Sequence, residues 1–189
     1  MNLAKRRIIM KYFIESQFGY CPLVWMLHSR TLNTRINNIH ERALRLVYND
    51  PTSTFNQLLA IDKSFTIHER NIQSLAIEIF KVIQGQSPDI MKEVFVLKSP
   101  QLYCSKHVFV GKNVKTVYNG LHTISYLGPK IWALIPTHIK NASDIPNFKR
   151  KIRQWKPDKC PCRLCKTYIA GVGFVKVELK TSDTTSSHM

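Results

Sequence analysis

The sequence predicts a mostly α-helical protein, in which a bundle of helices is followed by a small α+β segment. Apolar residues recur at helical spacing through much of residues 1–98, whereas after Ser99 and Pro100 the apolar runs are short and separated by turn residues. We therefore expect a helical region over 1–98 and a basic region over 99–174. A disordered tail is predicted over 175–189, because this serine- and threonine-rich end has no periodicity.

Two helices are predicted in the first 50 residues. Helical spacing of apolar residues indicates a helix over 3–17, and the apolar run from Phe18 to Leu27 is interpreted as buried core, since it is about half as long as a membrane span. No membrane association is expected. The second helix should end at Asp50 and Pro51. Its apolar stripe comprises Leu32, Ile36, Ile39, Ala43, Leu46 and Val47.

A third helix is predicted from a capping box, in which the Thr66 hydroxyl and the Glu69 carboxylate satisfy backbone amides at the helix start. Gly85 should end this helix, and residues 87–89 should begin a short fourth one. His68, beside the cap, is expected to be exposed on the surface. Because acidic and basic residues balance over 51–100, we interpret this segment as a packing scaffold.

The second region is predicted to begin with a β-hairpin, since Asn119 and Gly120 lie between short apolar runs. A short helical turn should follow over residues 128–136. A basic helix should start at about Pro146, with Phe148, Ile152 and Trp155 facing inward at helical spacing.

Positive charge is the most unusual feature of the composition. The chain has 28 Lys and Arg against 12 Asp and Glu, which gives a net charge of +16 and a pI near 9.9. A surplus of this size favours a polyanionic partner, and we expect nucleic acid, bound without regard to sequence as RNA–DNA hybrid, duplex or single strand. The expected contacts are Arg35, Arg42, Arg45, Lys149, Arg150, Lys151, Arg153 and Lys156. A solvated helix face is the alternative for the first three.

Three of the five cysteines lie within six residues: Cys160, Cys162 and Cys165. This spacing is typical of thiolates that share one zinc ion, and structural zinc takes four ligands. His138 is the favoured fourth ligand, with Cys104 and His107 as alternatives. Three reduced thiols without a metal is the competing interpretation. A redox pair is less favoured, because no thioredoxin-like strand and helix frame it.

The odd number of cysteines and their clustering favour a reducing compartment, so we expect the protein in the nucleus or cytoplasm. Cys21 is interpreted as a small core residue. No phosphate-binding loop, dinucleotide fingerprint or metalloprotease motif is present in the sequence, and no cluster of carboxylates could hold catalytic metal ions. We therefore predict no catalytic residues and no enzymatic activity for this chain alone.

Six blocks of the sequence, taken in order, resemble the C-terminal part of LINE-type, non-LTR retrotransposon reverse transcriptases. They are FIESQFGYCPLVWMLHSR (13–30), IHERALRLVY (39–48), TIHERNIQSLAIEIFKV (66–82), ISYLGPKIWALIP (124–136), FKRKIRQW (148–155) and CPCRLCKTYIAGVGF (160–174).

The resemblance implies that residues 3–95 correspond to thumb-side helices, and that residues 100–174 correspond to the basic end of such polymerases. In that family the aspartates that hold catalytic magnesium lie upstream, in the palm, and this sequence has no counterpart to them. The resemblance thus implies a fragment that binds nucleic acid, alone or with other parts of the polymerase. A self-standing zinc-stabilised adaptor and an inert transposon relic remain the alternatives.

Overall fold

The computed structural model describes residues 1–97, 109–110, 123–157, 160 and 162. Secondary structure in these residues is helical, apart from a single antiparallel bridge between Leu97 and Phe109. The prediction of a mostly α-helical protein is therefore confirmed. The predicted hairpin turn at 119–120, the boundary at 98–99 and the tail over 175–189 lie outside the described residues.

Most of the helices follow one another with short connections, and residues 95–123 separate the seventh α-helix from the eighth. They are α1 (Leu3–Ile9), a π-helical turn (Met10–Glu15), α2 (Ser16–Gly19), α3 (Pro22–Trp25), α4 (Arg30–Tyr48), α5 (Phe55–Asp62), α6 (Ile67–Ile83), α7 (Asp89–Val94), α8 (Ile124–Leu134), α9 (Thr137–Lys140) and α10 (Ile145–Ile152). In the part of the chain described here, no helix combines the length and the apolar character needed to cross a bilayer.

The first predicted helix is present but is divided by the π-helical turn. The prediction that residues 18–27 are buried core holds on one side of the run, where Leu23 and Leu27 are half-buried against the core, and is wrong on the other. Met26 is buried, but the side chains of Tyr20 and Val24 are 78% and 84% exposed, and Cys21 is exposed as well. Because α2 and α3 have only four residues each, the bend between them turns one side of this run toward solvent.

Helix α4 has a capping residue at each end. The Ser29 hydroxyl accepts a hydrogen bond from the Leu32 amide at the start, and Asn49 ends the helix in the left-handed conformation. The buried face differs from the predicted stripe, since Leu32, Ile39 and Leu46 are exposed. The face that packs inward comprises Ile36, His40, Ala43, Leu44 and Val47. Because His40 lies within this buried face, the face does not coincide with the stripe of apolar residues in the sequence.

Helix α5 was not expected from the sequence. Thr54 and Gln57 form a reciprocal capping box at its start, and Leu58 and Leu59 are buried. A small core cluster joins α5 to α4 and to the π-helical turn. Its buried members are Met10, Ala43, Leu44, Val47, Leu58 and Leu59.

Helix α6 is the centre of the molecule and begins and ends as predicted. The Thr66 and Glu69 side chains form the reciprocal capping box, and Gly85 follows the helix with a positive φ of 69°. Helix α6 contacts α3, α4, α8 and α10. The short helix α7 also follows the prediction.

Helix α8 begins at Ile124 rather than at Gly128, so Pro129 lies inside it. The sequence Gly-Pro favours a helix start, because proline at the first turn loses no hydrogen bond, and this signal made the prediction too short. Gly128 lies against the ring of Phe95, where a Cβ atom would be 2.3 Å from Phe95 Cε1. Close packing between α8 and the end of α7 therefore requires glycine at position 128.

Helix α10 starts as predicted, with the Asp144 carboxylate accepting a 2.7 Å hydrogen bond from the Asn147 amide. Phe148 and Ile152 are fully buried, and the Phe148 ring stacks on Phe80 of α6 at 4.2 Å between centroids. One core cluster thus joins residues before position 98 to residues after position 123. The two predicted regions share this core.

Candidate metal centre and basic surfaces

Three potential metal ligands meet at the N-terminal end of α6. His68 Nε2 lies 3.3 Å from Cys162 Sγ and 3.8 Å from Cys160 Sγ, and the three ligand atoms all lie within 4.8 Å of one another. In tetrahedral zinc sites the bond lengths to sulfur and nitrogen place such ligand atoms about 3.6 Å apart. The observed distances fall on either side of that value, so the three residues are close enough to hold a metal ion.

The cluster is sheltered from water. His68 is 7% exposed and Cys162 is 2% exposed, whereas Cys160 is half-buried. Burial by itself lowers the pKa of His68, but hydrogen bonds to both cysteines and the charge on their sulfur atoms outweigh it and raise the pKa to about 9. A histidine and thiols held in contact at this distance share protons that a bound metal ion would displace.

The segment that precedes the cysteines is attached to α6 by hydrogen bonds and an ion pair. The Gln73 side-chain amide donates to the carbonyl oxygens of Trp155, at 2.9 Å, and Arg153, at 3.5 Å. Lys156 Nζ lies 3.0 Å from the Glu69 carboxylate. Together with His68, these contacts hold residues 153–157, 160 and 162 against the first two turns of α6.

The prediction that His68 is an exposed surface residue is therefore wrong. His68 lies on the same helix face as Ile72 and Leu75, four and seven positions later, and both of these are buried. This spacing is the sequence signal that identifies His68 as inward-facing. The cysteines are 92 and 94 residues away in the chain, so spacing alone could not link them to it.

The favoured fourth ligand, His138, is not a member of this cluster. It lies on α9 with an exposed side chain, and its backbone carbonyl accepts a 3.1 Å hydrogen bond from Lys151 Nζ. Cys104, His107 and Cys165 lie outside the residues that the structure describes, so their roles stay predictions.

The three arginines predicted on α4 have different surroundings. Arg35 and Arg42 are exposed. Arg45 forms a 2.7 Å ion pair with Glu41 and donates to the carbonyl oxygens of Asp50 and Pro51, where it closes the end of the helix. Arg45 thus has a structural role, and two of the three remain open to a ligand.

The five cations predicted to bind near α10 also fall into two groups. Arg150 and Arg153 are exposed, and Lys149 is half-buried. Lys151 donates to the His138 carbonyl and Lys156 pairs with Glu69, so these two connect α10 and the segment after it to the rest of the fold.

No protein-family model, curated protein or solved structure matches this chain.

Proposed function

We propose that this protein is a nucleic-acid-binding module that grips the phosphate backbone without reading base sequence. The observation that carries the proposal is that apolar side chains of α10 are buried, while three basic side chains on and just after this helix are not paired with acidic ones in the part of the chain that the structure describes. Its Phe148 and Ile152 are fully buried, whereas Lys149, Arg150 and Arg153 form no ion pair among the residues described, although the charge of Arg150 acts on the nearby Asp144 carboxyl. Cations that repel one another on one short helix are stabilised when an anion lies beside them.

The six sequence blocks that resemble LINE-type reverse transcriptases support a more specific proposal. The chain would be the thumb and basic end of such an RNA-directed DNA polymerase, and it would hold template and primer for a catalytic palm that this sequence does not contain. Magnesium would belong to that palm. The chain by itself would bind nucleic acid but would not synthesise it.

A filter-binding comparison of RNA–DNA hybrid, duplex DNA and single strands across a salt series tests the proposal. Phosphate contacts release counterions, so the logarithm of the binding constant should fall with the logarithm of salt concentration with a slope of several units. Replacing Lys149, Arg150, Lys151 and Arg153 by glutamine should weaken binding on all sequences alike. A binding constant that does not change with salt would overturn the proposal.

We also propose that His68, Cys160 and Cys162 bind zinc as a structural centre, with Cys165 as the predicted further thiolate. One imidazole and two thiolates in a sheltered position form a donor set that suits zinc. This centre favours the second candidate function, a zinc-stabilised adaptor that folds independently of any polymerase. Elemental analysis should find about one zinc per chain, and a value well below one would exclude the centre.

Thermal unfolding separates the two candidates. An independent adaptor should unfold in one cooperative transition that moves to lower temperature when zinc is removed. A polymerase part that needs its palm should aggregate or unfold without a single sharp transition, even when zinc is bound.

A further inference from the structure

An open groove of about 940 Å³ lies between the N-terminal helical segment and α6, and no residue of α4 lines it. One wall is formed by α1 and the π-helical turn, and the other by the connection between α5 and α6 and by α6 itself. Five cationic side chains line it: Arg7, Lys11, Lys63, Arg70 and Arg153.

The two carboxylates in the groove are already neutralised. Arg7 Nε lies 3.0 Å from Asp62, and Arg70 lies 2.8 Å from Glu15. The three remaining cations, Lys11, Lys63 and Arg153, are exposed and form no ion pair with any residue that the structure describes. The groove therefore has a surplus of three positive charges.

These three cations come from distant parts of the sequence. Lys11 is on the π-helical turn, Lys63 follows α5, and Arg153 follows α10. The fold gathers them along a single depression, although each lies apart from the others in the chain. Like charges brought together in this way repel one another unless an anion occupies the space between them.

The groove also contains an aromatic side chain. Phe65 lines it, is half-buried, and belongs to neither core cluster. A path of cations beside an aromatic ring is typical of proteins that bind single strands, because the cations follow the phosphates and the ring stacks on a base of any kind. An acidic polypeptide would use the cations but would gain little from the ring.

We propose that this groove is a binding site for one nucleic-acid strand, with Lys11, Lys63 and Arg153 facing phosphates and Phe65 stacking on a base. The inference depends on the proposed nucleic-acid function. It places the binding site in a groove that includes residues 11, 63 and 65. None of these three was a predicted contact.

The test compares the double variant Lys11→Gln, Lys63→Gln with Lys92→Gln, Lys130→Gln, which removes the same charge from exposed lysines outside the groove. Binding of a fluorescent oligonucleotide, in RNA and DNA versions, is measured across a salt series. A single-strand contact contributes about 0.7 to the log–log salt slope, so the groove variant should lose about 1.4 units of slope and the control should lose little. Phe65→Leu should weaken single-strand binding more than duplex binding.

Three other results would contradict the inference. If the wild-type chain does not bind nucleic acid at all, the proposed function fails together with the groove. If the wild-type chain binds, and the groove and control variants lose equal affinity and slope, the function stands and the groove is overturned. If polyglutamate displaces the oligonucleotide at equal charge concentration and Phe65→Leu has no effect, the groove binds acidic polypeptides and the inference is wrong. The charge-reversal variant Lys63→Glu provides a second measurement of the same site.

Discussion

His40 is a fully buried histidine on α4 whose two ring nitrogens have no hydrogen-bond partner among the described residues. It is surrounded by charged groups from three elements: Glu15 of the π-helical turn, Asp62 of α5 and Arg70 of α6. Burial is the largest influence and, with the nearby Arg70, lowers the pKa of His40 to about 4, although the two carboxylates act in the opposite direction.

This pKa predicts a loss of stability in mild acid. The unfolded chain takes up a proton at His40 near pH 6.5 and the folded chain only near pH 4, so stability is present above pH 6.5 and is lost as the pH falls through 4. The loss assigned to this group is about 3 kcal/mol. We expect His40→Leu, a replacement of similar volume, to remove it.

The measurement is the free energy of unfolding in urea at several pH values between 7 and 4, for both proteins. The difference between wild type and variant isolates His40, because other acid-sensitive groups are common to both. Parallel pH curves for the two proteins would contradict the prediction.

His68 and His138 provide a matched pair of variants for the metal centre. His68→Ala should reduce bound zinc to well below one per chain, since it removes a ligand atom that lies 3.3 Å and 3.8 Å from the two sulfur atoms. His138→Ala should leave zinc unchanged, because that side chain is exposed and outside the cluster. Zinc loss from His138→Ala but not from His68→Ala would restore the ligand set favoured by the sequence.

Cysteine variants extend the same measurement. Cys162→Ser should lose zinc, and Cys21→Ser should retain it, since Cys21 is exposed and is not a member of the cluster. The effect of Cys165→Ser decides whether position 165 supplies the further thiolate.

His68, together with the buried His40, shows why part of the site could not be predicted from the sequence. Spacing indicated that the closely spaced cysteines could bind zinc, and two of them lie in the described cluster. His68 was expected at the surface but is buried beside the cap of α6, and His40 is buried on the inward face of α4. A histidine flanked by apolar residues at positions i+4 and i+7 should be read as inward-facing before it is read as exposed.

Among the helices, length did not decide which ones could be predicted. Helices α4 and α6 have capping side chains and several buried residues at helical spacing, so their existence follows from local signals. Helix α10 has only eight residues, but Pro146 in its first turn marks its start. Helix α5 also has eight residues and begins with a capping box of Thr54 and Gln57, but no proline lies in its first turn. Its packing against α4 and the π-helical turn stabilises it.

Close packing of α8 against Phe95 provides a prediction about helix stability. Gly128→Ala would place a Cβ atom 2.3 Å from the Phe95 ring, so the ring must move or the helix must shift. We expect a loss of about 1–3 kcal/mol in the free energy of unfolding, which is typical of overpacked cores. Gly19→Ala is the control, because nothing lies within 4 Å of the added atom and alanine favours the helix. Equal effects of the two substitutions would show that α8 accommodates the methyl group.

In the molecule as a whole, net charge indicated a class of partner but not a surface. The row of arginines read from α4 includes Arg45, which closes the helix end, whereas the groove takes Lys11, Lys63 and Arg153 from segments far apart in sequence. Periodicity can group residues within one helix. It cannot group residues that only the tertiary fold brings together.

The proposed metal centre and the proposed groove are connected through contacts of Arg153, Trp155, Lys156, Cys160 and Cys162 with α6. Gln73 holds the backbone of Arg153 and Trp155, Glu69 pairs with Lys156, and His68 contacts the two cysteines. If the centre binds zinc, the metal is the last of these attachments along α6. Loss of zinc should therefore loosen the segment and withdraw Arg153 from the groove.

We thus expect a zinc chelator to weaken single-strand binding and to lower the salt slope by about 0.7, the contribution of one phosphate contact. In Arg153→Gln the same treatment should have little further effect on the slope, because the contact is already absent. Arg150→Gln, three residues earlier and outside the groove lining, should respond to the chelator as the wild type does. Oligonucleotide binding across a salt series, with and without chelator, measures all three proteins. An equal response of Arg153→Gln and wild type would show that the metal centre and the groove act independently.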